Sequence, residues 1–563
     1  MKNILKNNPF IDSNKKISFF FDGKKIYGLK GDTIASALLR NKIKLIGRSF
    51  KYHRPRGIYT CGIEEPNALV QIVSEYNEPN TRATVKEIYE GMVVESQNRW
   101  PSLKFDIGSI NNLLSPLFSA GFYYKTFMGP KGFWKNIYEP LIRRTAGLGR
   151  PPKEFRSRSV HHNHNVDVVI VGGGLSGLIA AKKIINTNYD VLLIEQDHHL
   201  GGILKNSNKI EKIDNENTQD WIKKISNEIR NSNNIKVLKS TQVSSYNYDN
   251  YLIAVEDGSS GELPGNHKPE LILHKIRTKN TILANGHLER LICFKNNDVP
   301  GIMLASSFEK YIHRYGVLPD NKPVIFSNNS SSASLVHSLI NLGSKPLAYI
   351  DVRKESKIDR KLINALKKNN IPFYPESEIE GCEGGSKIKE IIVKKKGNST
   401  IKIKTSMLCV SGGLNPDVNL FTQSKGLIKW NDKYLTFAPE KTFQNTIVIG
   451  SASGNFDFNN LDDEINQKMD FLKANKIKTN LELSVNNDLD IREAWEINSQ
   501  QKSLWSKSFV DIQNDVTTND LQQAITEGFD RIEHLKRFTT NSMGTDQGKI
   551  SSINSLGIVS KIL

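Results

Sequence analysis

The chain reads as an α/β protein whose parallel sheets are covered by helices. Three observations point there. A strand–turn–helix–strand unit runs from Val166 to Glu195, VDVVIVGGGLSGLIAAKKIINTNYDVLLIE. A second unit of the same order, PVIFS, SASLVHSLINLG, PLAYIDV, occupies 322–352. Short β-branched runs, Tyr251–Val255, Thr281–Ala284, Ser406–Val410 and Thr446–Ile449, recur between and after them. Strands alternating with helical patterns in this way argue for wound parallel sheets.

Ahead of these units, Ile17–Phe21 and Lys25–Tyr27 form a hairpin pattern across Asp22–Gly23, a dipeptide suited to a tight reversed turn. Asp32 or Thr33 then caps an apolar-periodic helix from Ile34 to Leu39, and Ala68–Val73 reads as a later strand. A small ubiquitin-like or ferredoxin-like α+β domain over 1–95 follows. Residues 76–160 show little periodic structure and many aromatics, among them Trp100, Phe118, Phe122, Tyr123, Tyr124, Phe127, Phe133 and Trp134, and 96–164 is assigned as an aromatic-rich connecting segment. Such a segment is expected to wrap over another domain or a partner. Arg143, Arg144, Arg150 and Lys153 lead from it into His161, His162 and His164. Three close histidines can bind metal, but no cysteine or carboxylate stands beside them, so a linker meeting a strand is the expected reading. The nucleotide-fold domain is assigned to 165–320 and 400–470, a second and degenerate one to 321–399, and a polar, partly helical region without an obvious closing element to 471–563.

The bulk properties exclude several classes. No stretch approaches the roughly 18–20 consecutive apolar residues of a membrane span, and the basic start MKNILKNNPF has no apolar core or cleavage site behind it. A cytoplasmic protein is expected. The net charge is +18, but lysine is spread along the chain, so nucleic-acid binding is not expected. Cys61, Cys293, Cys382 and Cys409 are far apart and form no CxxC pair; free thiols are expected, and no metal site.

The glycine loop carries the chemistry. Gly172, Gly174 and Gly177, with Gly173 as an extra glycine, follow the strand Val168–Val171 and open a helix bearing Ile179, Ala180 and Ala181. The next strand ends in Glu195. Gly172 permits the turn, Gly174 lets the backbone approach a pyrophosphate, and Gly177 lets helix and sheet pack closely. The helix N-terminus offers N–H groups to phosphates. Glu195 would accept from ribose hydroxyls and repel a 2′-phosphate, which disfavours NADP. The loop alone leaves FAD and NAD open. The fold class is therefore FAD/NAD(P)-binding Rossmann-like domains with an N-terminal ferredoxin-like domain. The second unit turns through Ser327–Ser334 without a glycine, so it is expected to be empty. The cluster Arg48, Lys51, His53, Arg54 and Arg56 could bind an anion or lie in surface salt bridges. His287 and Glu289, in a strand-to-loop turn, are expected to be structural.

Long segments carry a resemblance. GDTIASALL (31–39), GRSFKYHRPRGIYTCGIEEPNALV (47–70), MGPKGFWKNIYEPLIRRTAGLG (128–149), ILANGHLERLICFKNNDVPGIMLASS (282–307), SGGLNPDVNL (411–420) and FVDIQNDVTTNDLQQAITEGFDRIEHLKRFTTNSMGTDQGK (509–549) resemble, in collinear order, the alpha subunits of heterotetrameric sarcosine oxidases. The resemblance implies oxidative demethylation of sarcosine to glycine with peroxide formation. It implies NAD held by this chain, FAD in a partner beta subunit, FMN at the interface with beta, and gamma and delta subunits besides. The family's folate-binding aminomethyltransferase-like domain has no counterpart here, which leaves room for a separate folate-binding chain. The implied NAD contacts are Gly172, Gly173, Gly174, Ser176, Gly177, Glu195, Gln196, Asp197, Gly202, Ile203, Val243, Gly450, Ser451 and Ala452. Ile203 stands where the family often has threonine. No catalytic residue is carried over. The first domain is similar to plant-type ferredoxin modules, but with Cys61 as its single cysteine no iron–sulfur cluster is expected. Two other readings stand beside this one: a self-sufficient FAD-dependent NADH oxidoreductase, and a scaffold subunit with structural NAD.

Overall fold

A computed structural model describes residues 8–73, 77–125, 127–145, 149–151, 159–258, 271–472, 478–483, 489–498 and 507–563. Lys153 lies outside these residues, as do the side chains of Tyr123, Tyr124, Arg143 and Arg144.

The first domain is a five-stranded sheet in the order Lys24–Lys30, Asp12–Phe21, Val93–Ser96, Leu69–Val73, Glu78–Arg82. Asp22 and Gly23 both have positive φ, the geometry that matches the twist of the hairpin they join. Thr33 caps the helix Ile34–Arg40 by accepting from Ser36 N at 3.2 Å. Every residue of that helix from Ile34 to Leu39 is buried, which is why its apolar run is unbroken. Glu78–Arg82 and Val93–Ser96 fall where little periodic structure was expected. Each is short, partly polar and paired to a neighbour that supplies its context, so neither carries a pattern of its own.

The second sheet has the order Ile235–Leu238, Val191–Ile194, Ser159–Val171, Leu271–Leu283, Tyr251–Asp257, Thr241–Asn247, with Thr446–Val448 on Leu271–Leu283. Val168 and Ile170 pack on one face with Leu178 and Ile179 of the helix; Val169 and Val171 pack on the other with Leu192 and Ile194. Burial on both faces explains the continuous apolar run. His161, His162 and His164 lie inside the 13-residue strand Ser159–Val171, not in a linker. His164 Nε2 is 2.9 Å from His274 Nδ1, and His274 Nε2 is 2.8 Å from Glu256. No group of side chains among the described residues is arranged to hold a metal ion.

The third sheet runs Ile302–Leu304, Leu408–Ser411, Val324–Ser327, Ala348–Asp351, Phe373–Tyr374. It takes strands from both sides of the 321–399 boundaries, because the chain crosses between the two nucleotide folds and the sheet is completed by segments distant in sequence. Residues 509–562 form a hairpin, Phe509–Asp511 with Val516–Thr517, and three helices. The last helix, Ser552–Ile562, buries Ile558 and Val559 in the core around the third sheet, so this region is more closed than its polar sequence suggested. Among the described residues no helix is long and apolar enough to cross a membrane.

Candidate functional site: a dinucleotide cleft

The strand Ser159–Val171 ends at the glycine loop, and the helix Leu175–Ile184 starts one residue after Gly174. No side chain caps that helix, so its first N–H groups face the cleft unclaimed by a cap. Gly172 has φ +103°, and a Cβ there would lie 2.4 Å from Ala284 O. A Cβ on Gly177 would lie 1.9 Å from Gly172 O. Gly174 differs: its Cβ would meet nothing nearer than Gly202 Cα at 3.8 Å. The space above Gly174 is therefore open beside the helix N-terminus, the place where nucleotide folds of this kind hold a pyrophosphate.

The loop forms one wall of a cleft of about 760 Å³. Gly172, Gly174, Ser176, Glu195, Gln196, Gly202, Ile203, Val243, Gly450 and Ser451 line it. Gly173, Gly177, Asp197 and Ala452 do not; they stand behind the wall. Glu195 accepts from Gly173 N at 2.7 Å and Asp197 N at 2.8 Å, which fixes its carboxylate at the end of the loop. Burial raises its pKa, against the pull of Lys205. The Asp197 carboxylate turns from the cleft to Lys205 at 2.9 Å, with Arg314 at 3.7 Å.

The cleft extends further than the glycine loop indicates. Lys209, His287, Glu289, Glu309 and Lys310 also line it, as do Cys61–Glu64 of the first domain and Lys536 and Lys549 of the C-terminal unit. His287 Nδ1 lies 2.9 Å from Ser451 Oγ, and burial lowers its pKa to about 4, so it is neutral. Glu289 takes Ser306 N at 2.8 Å and Ser411 Oγ at 2.5 Å, and burial raises its pKa to about 7. Both brace the cleft wall while facing its interior. No single motif announces this set, because it is gathered from several segments distant in sequence; His287 and Glu289 share one short strand.

The glycine-free turn is filled from within. Arg353 donates to Asn329 O at 3.0 Å and Ser330 Oγ at 2.8 Å, and pairs with Asp351 at 2.8 Å. Asp351 stands at the end of the second strand, where a ribose-binding acid would sit, and it is fully buried in that ion pair. Ser330–Ser332 still contribute to the shared cleft. The basic cluster is likewise consumed internally. Arg54 pairs with Asp298 at 2.6 Å, Arg56 bridges Asp298 and Asp515, His53 meets Asp106 at 2.9 Å, and Arg48 donates to Leu103 O. Asp515 belongs to the C-terminal unit, so the cluster joins three parts of the chain rather than binding an anion.

The ferredoxin-like domain does not fit an iron–sulfur cluster. Cys61 is its single cysteine, and burial raises that thiol to about 12. The loop around it closes on Glu65. The Glu65 carboxylate accepts from Tyr59 N (3.1 Å), Thr60 N (2.6 Å), Thr60 Oγ1 (3.0 Å), Asn67 N (2.8 Å) and Ala68 N (3.0 Å). The Glu65 side chain holds the loop's donors with no metal needed, and burial raises its pKa to about 7 against the pull of those donors.

Residues 14–99 match the 2Fe-2S iron-sulfur cluster binding domain family, 166–440 the pyridine nucleotide-disulphide oxidoreductase family, and 505–563 the sarcosine oxidase A3 domain. The sarcosine oxidase subunit alpha of Rhizobium meliloti (strain 1021) is 37% identical over 98% of this chain and 55% of its own length. That of Corynebacterium sp. (strain P-1) is 28% identical over 98% of this chain and 54% of its own. The chain thus spans about half the length of the curated relatives it matches. An L-proline dehydrogenase structure from P. horikoshii superposes with TM-score 0.60 at 18% identity, over 98% of this chain and 94% of that one, which shows the shared fold. The identity along the whole chain, together with the A3 match, places it in the family of sarcosine oxidase alpha subunits.

Proposed function

We propose that this chain is the NAD-holding subunit of a sarcosine oxidase-type complex, which converts sarcosine to glycine with peroxide formation. The open space over Gly174, flanked by the uncapped helix and by Glu195, carries the reading. The glycine loop and helix would hold the pyrophosphate, Glu195 the adenosine ribose, Val243 the adenine side, and Gly450 and Ser451 the far wall. Gln196 is exposed at the cleft and offers a neutral neighbour to the ribose, so a 2′-phosphate finds no cation from either residue. FAD in a beta subunit and FMN at the interface with it would carry the amine oxidation; gamma and delta subunits complete the assembly. The chain's own residues bind and position; none is assigned a bond-breaking role. A cytoplasmic location belongs to this reading.

A second reading has one observation in its favour. The two nucleotide folds share one cleft, as a self-sufficient FAD- and NADH-using reductase requires. Against it, Arg353 and Asp351 fill the second fold, and the four cysteines offer no dithiol pair. Denaturing the purified chain and identifying the released nucleotide by mass spectrometry decides. NAD supports the first reading. FAD, with NADH oxidation by the chain alone, rejects it.

A further inference from the structure

Two segments of short helical turns between the first and second sheets expose large apolar side chains. The first spans 107–118 and shows Ile110, Leu113 and Leu117, each more than half exposed. The second spans 134–145 and shows Trp134, Ile137 and Leu141, with Leu141 57% exposed. The first segment is a 3-10 turn, one α turn and a second 3-10 turn, and the second a π turn running into an α-helix, so the six side chains form two exposed apolar clusters rather than one heptad stripe. Such clusters in a folded domain normally point to a core, and here they point to solvent.

Neither segment is loosely attached. Asp106, just before the first, is bonded to His53 and to Trp100 N. Arg48 holds Leu103 O at 2.7 Å. A row of rings, Phe118–Phe122–Phe127–Tyr138 at 5.5, 5.9 and 4.9 Å, ties the two segments together, and Lys125 pairs with Glu527 of the C-terminal unit. The apolar clusters are therefore presented by anchored elements.

We infer that these two clusters form the docking surface for another protein subunit, one with an apolar surface bordered by carboxylates. This rests on the subunit reading above and adds where the subunit sits. Size and charge both favour it. Half-exposed side chains of this bulk each offer on the order of 100 Å². The six residues of the two clusters thus offer about 600 Å², and with the other large apolar residues exposed between Trp100 and Leu141 the surface reaches the roughly 800 Å² per partner of a stable interface. Their frame is cationic: Lys104, Lys131 and Lys135 are exposed beside them, while Arg99, Lys125 and Arg150 nearby are paired with Asp22, Glu527 and Glu95. The whole chain carries +18. A second copy would bring the same charge to the contact, and like charges across an interface disfavour it.

The test uses the full chain, co-expressed with the beta, gamma and delta subunits of the Rhizobium meliloti enzyme. Sedimentation velocity reads assembly, and hydrogen exchange reads protection. The expected result is a complex in which 107–118 and 134–145 become protected. Leu117→Asp with Ile137→Asp weakens it at least tenfold while the chain keeps its circular dichroism spectrum and bound nucleotide. A complex that leaves both segments unprotected, or that the double variant forms with unchanged affinity, overturns the proposal and leaves the subunit reading standing. No complex with the wild-type chain overturns both. Loss in the variant of self-association, or of binding to phosphatidylglycerol vesicles, without loss of subunit binding assigns the surface elsewhere and also overturns it.

Discussion

Replacing Glu65 by Gln would test whether a carboxylate holds the loop that walls the cleft. The substitution keeps shape and volume and changes one oxygen to an amide nitrogen. In the native loop Oε1 accepts from Asn67 N and Ala68 N, while Oε2 accepts from Tyr59 N, Thr60 N and Thr60 Oγ1. Whichever oxygen is lost, at least two buried backbone N–H groups then face another donor. Leaving a buried donor unsatisfied costs about 1–3 kcal/mol, so the variant should lose about 2–6 kcal/mol, against a typical total stability of about 5–15 kcal/mol. The loss is local first, because Cys61–Glu64 forms cleft wall. Urea denaturation gives the stability change, and hydrogen exchange at 59–68 should show the loop opening before the rest. Glu64→Gln is the control: its carboxylate holds none of these donors, and it should stay within about 0.5 kcal/mol of wild type. A Glu65→Gln variant as stable as wild type, with the loop still protected, would refute the reasoning.

The remaining predictions concern the cleft and its supports. Gly174→Ala should leave the ligand-free fold intact, since its Cβ meets only Gly202 Cα at 3.8 Å and its φ/ψ suits alanine, with stability unchanged or raised by about 0.4–1 kcal/mol. The same change should weaken nucleotide binding, read by calorimetry. Gly177→Ala should instead destabilise the apo protein, because its Cβ would lie 1.9 Å from Gly172 O; equal melting temperatures for the two variants would contradict the geometry. Arg353→Met leaves Asp351 buried without its partner and should cost about 3–5 kcal/mol, whereas Asp351→Asn together with Arg353→Met should recover part of it. Burial raises the Asp298 carboxyl, but Arg54 and Arg56 hold it down at about 2. A depressed acid contributes stability above its unfolded pKa near 3.8, and that contribution is lost as the pH falls through about 2. The melting temperature should therefore drop between pH 4 and pH 2 by more in wild type than in Asp298→Asn, for which a difference of about 2 kcal/mol corresponds to the shift.

Local patterns carried much of this protein. The Asp22–Gly23 turn, the Thr33 cap and the two-faced burial of Val168–Val171 are each satisfied within a few residues, and each was readable. Glu195 was readable as the acid at the end of the second strand, and the structure adds that two backbone N–H groups fix it. Asp197 shows the limit: one residue from the cleft wall, its carboxylate is drawn off by Lys205, a partner in the next helix. The basic cluster shows it again. Arg54 and Arg56 are two residues apart, yet their carboxylates are at 298 and 515, and nothing in a run of cations reveals acids that far along the chain.

The sequence by itself determined that a glycine-rich turn, helix and acid would form a dinucleotide site, because a tight turn, a close backbone approach and a helix N-terminus are local demands. It also determined that the first domain lacks the thiols for a cluster. Only the tertiary structure decided what shares the cleft, what fills the second fold and what replaces the missing cluster. Those outcomes depend on charges and donors brought together from distant segments, where the cost of burying an unpaired group selects the partner.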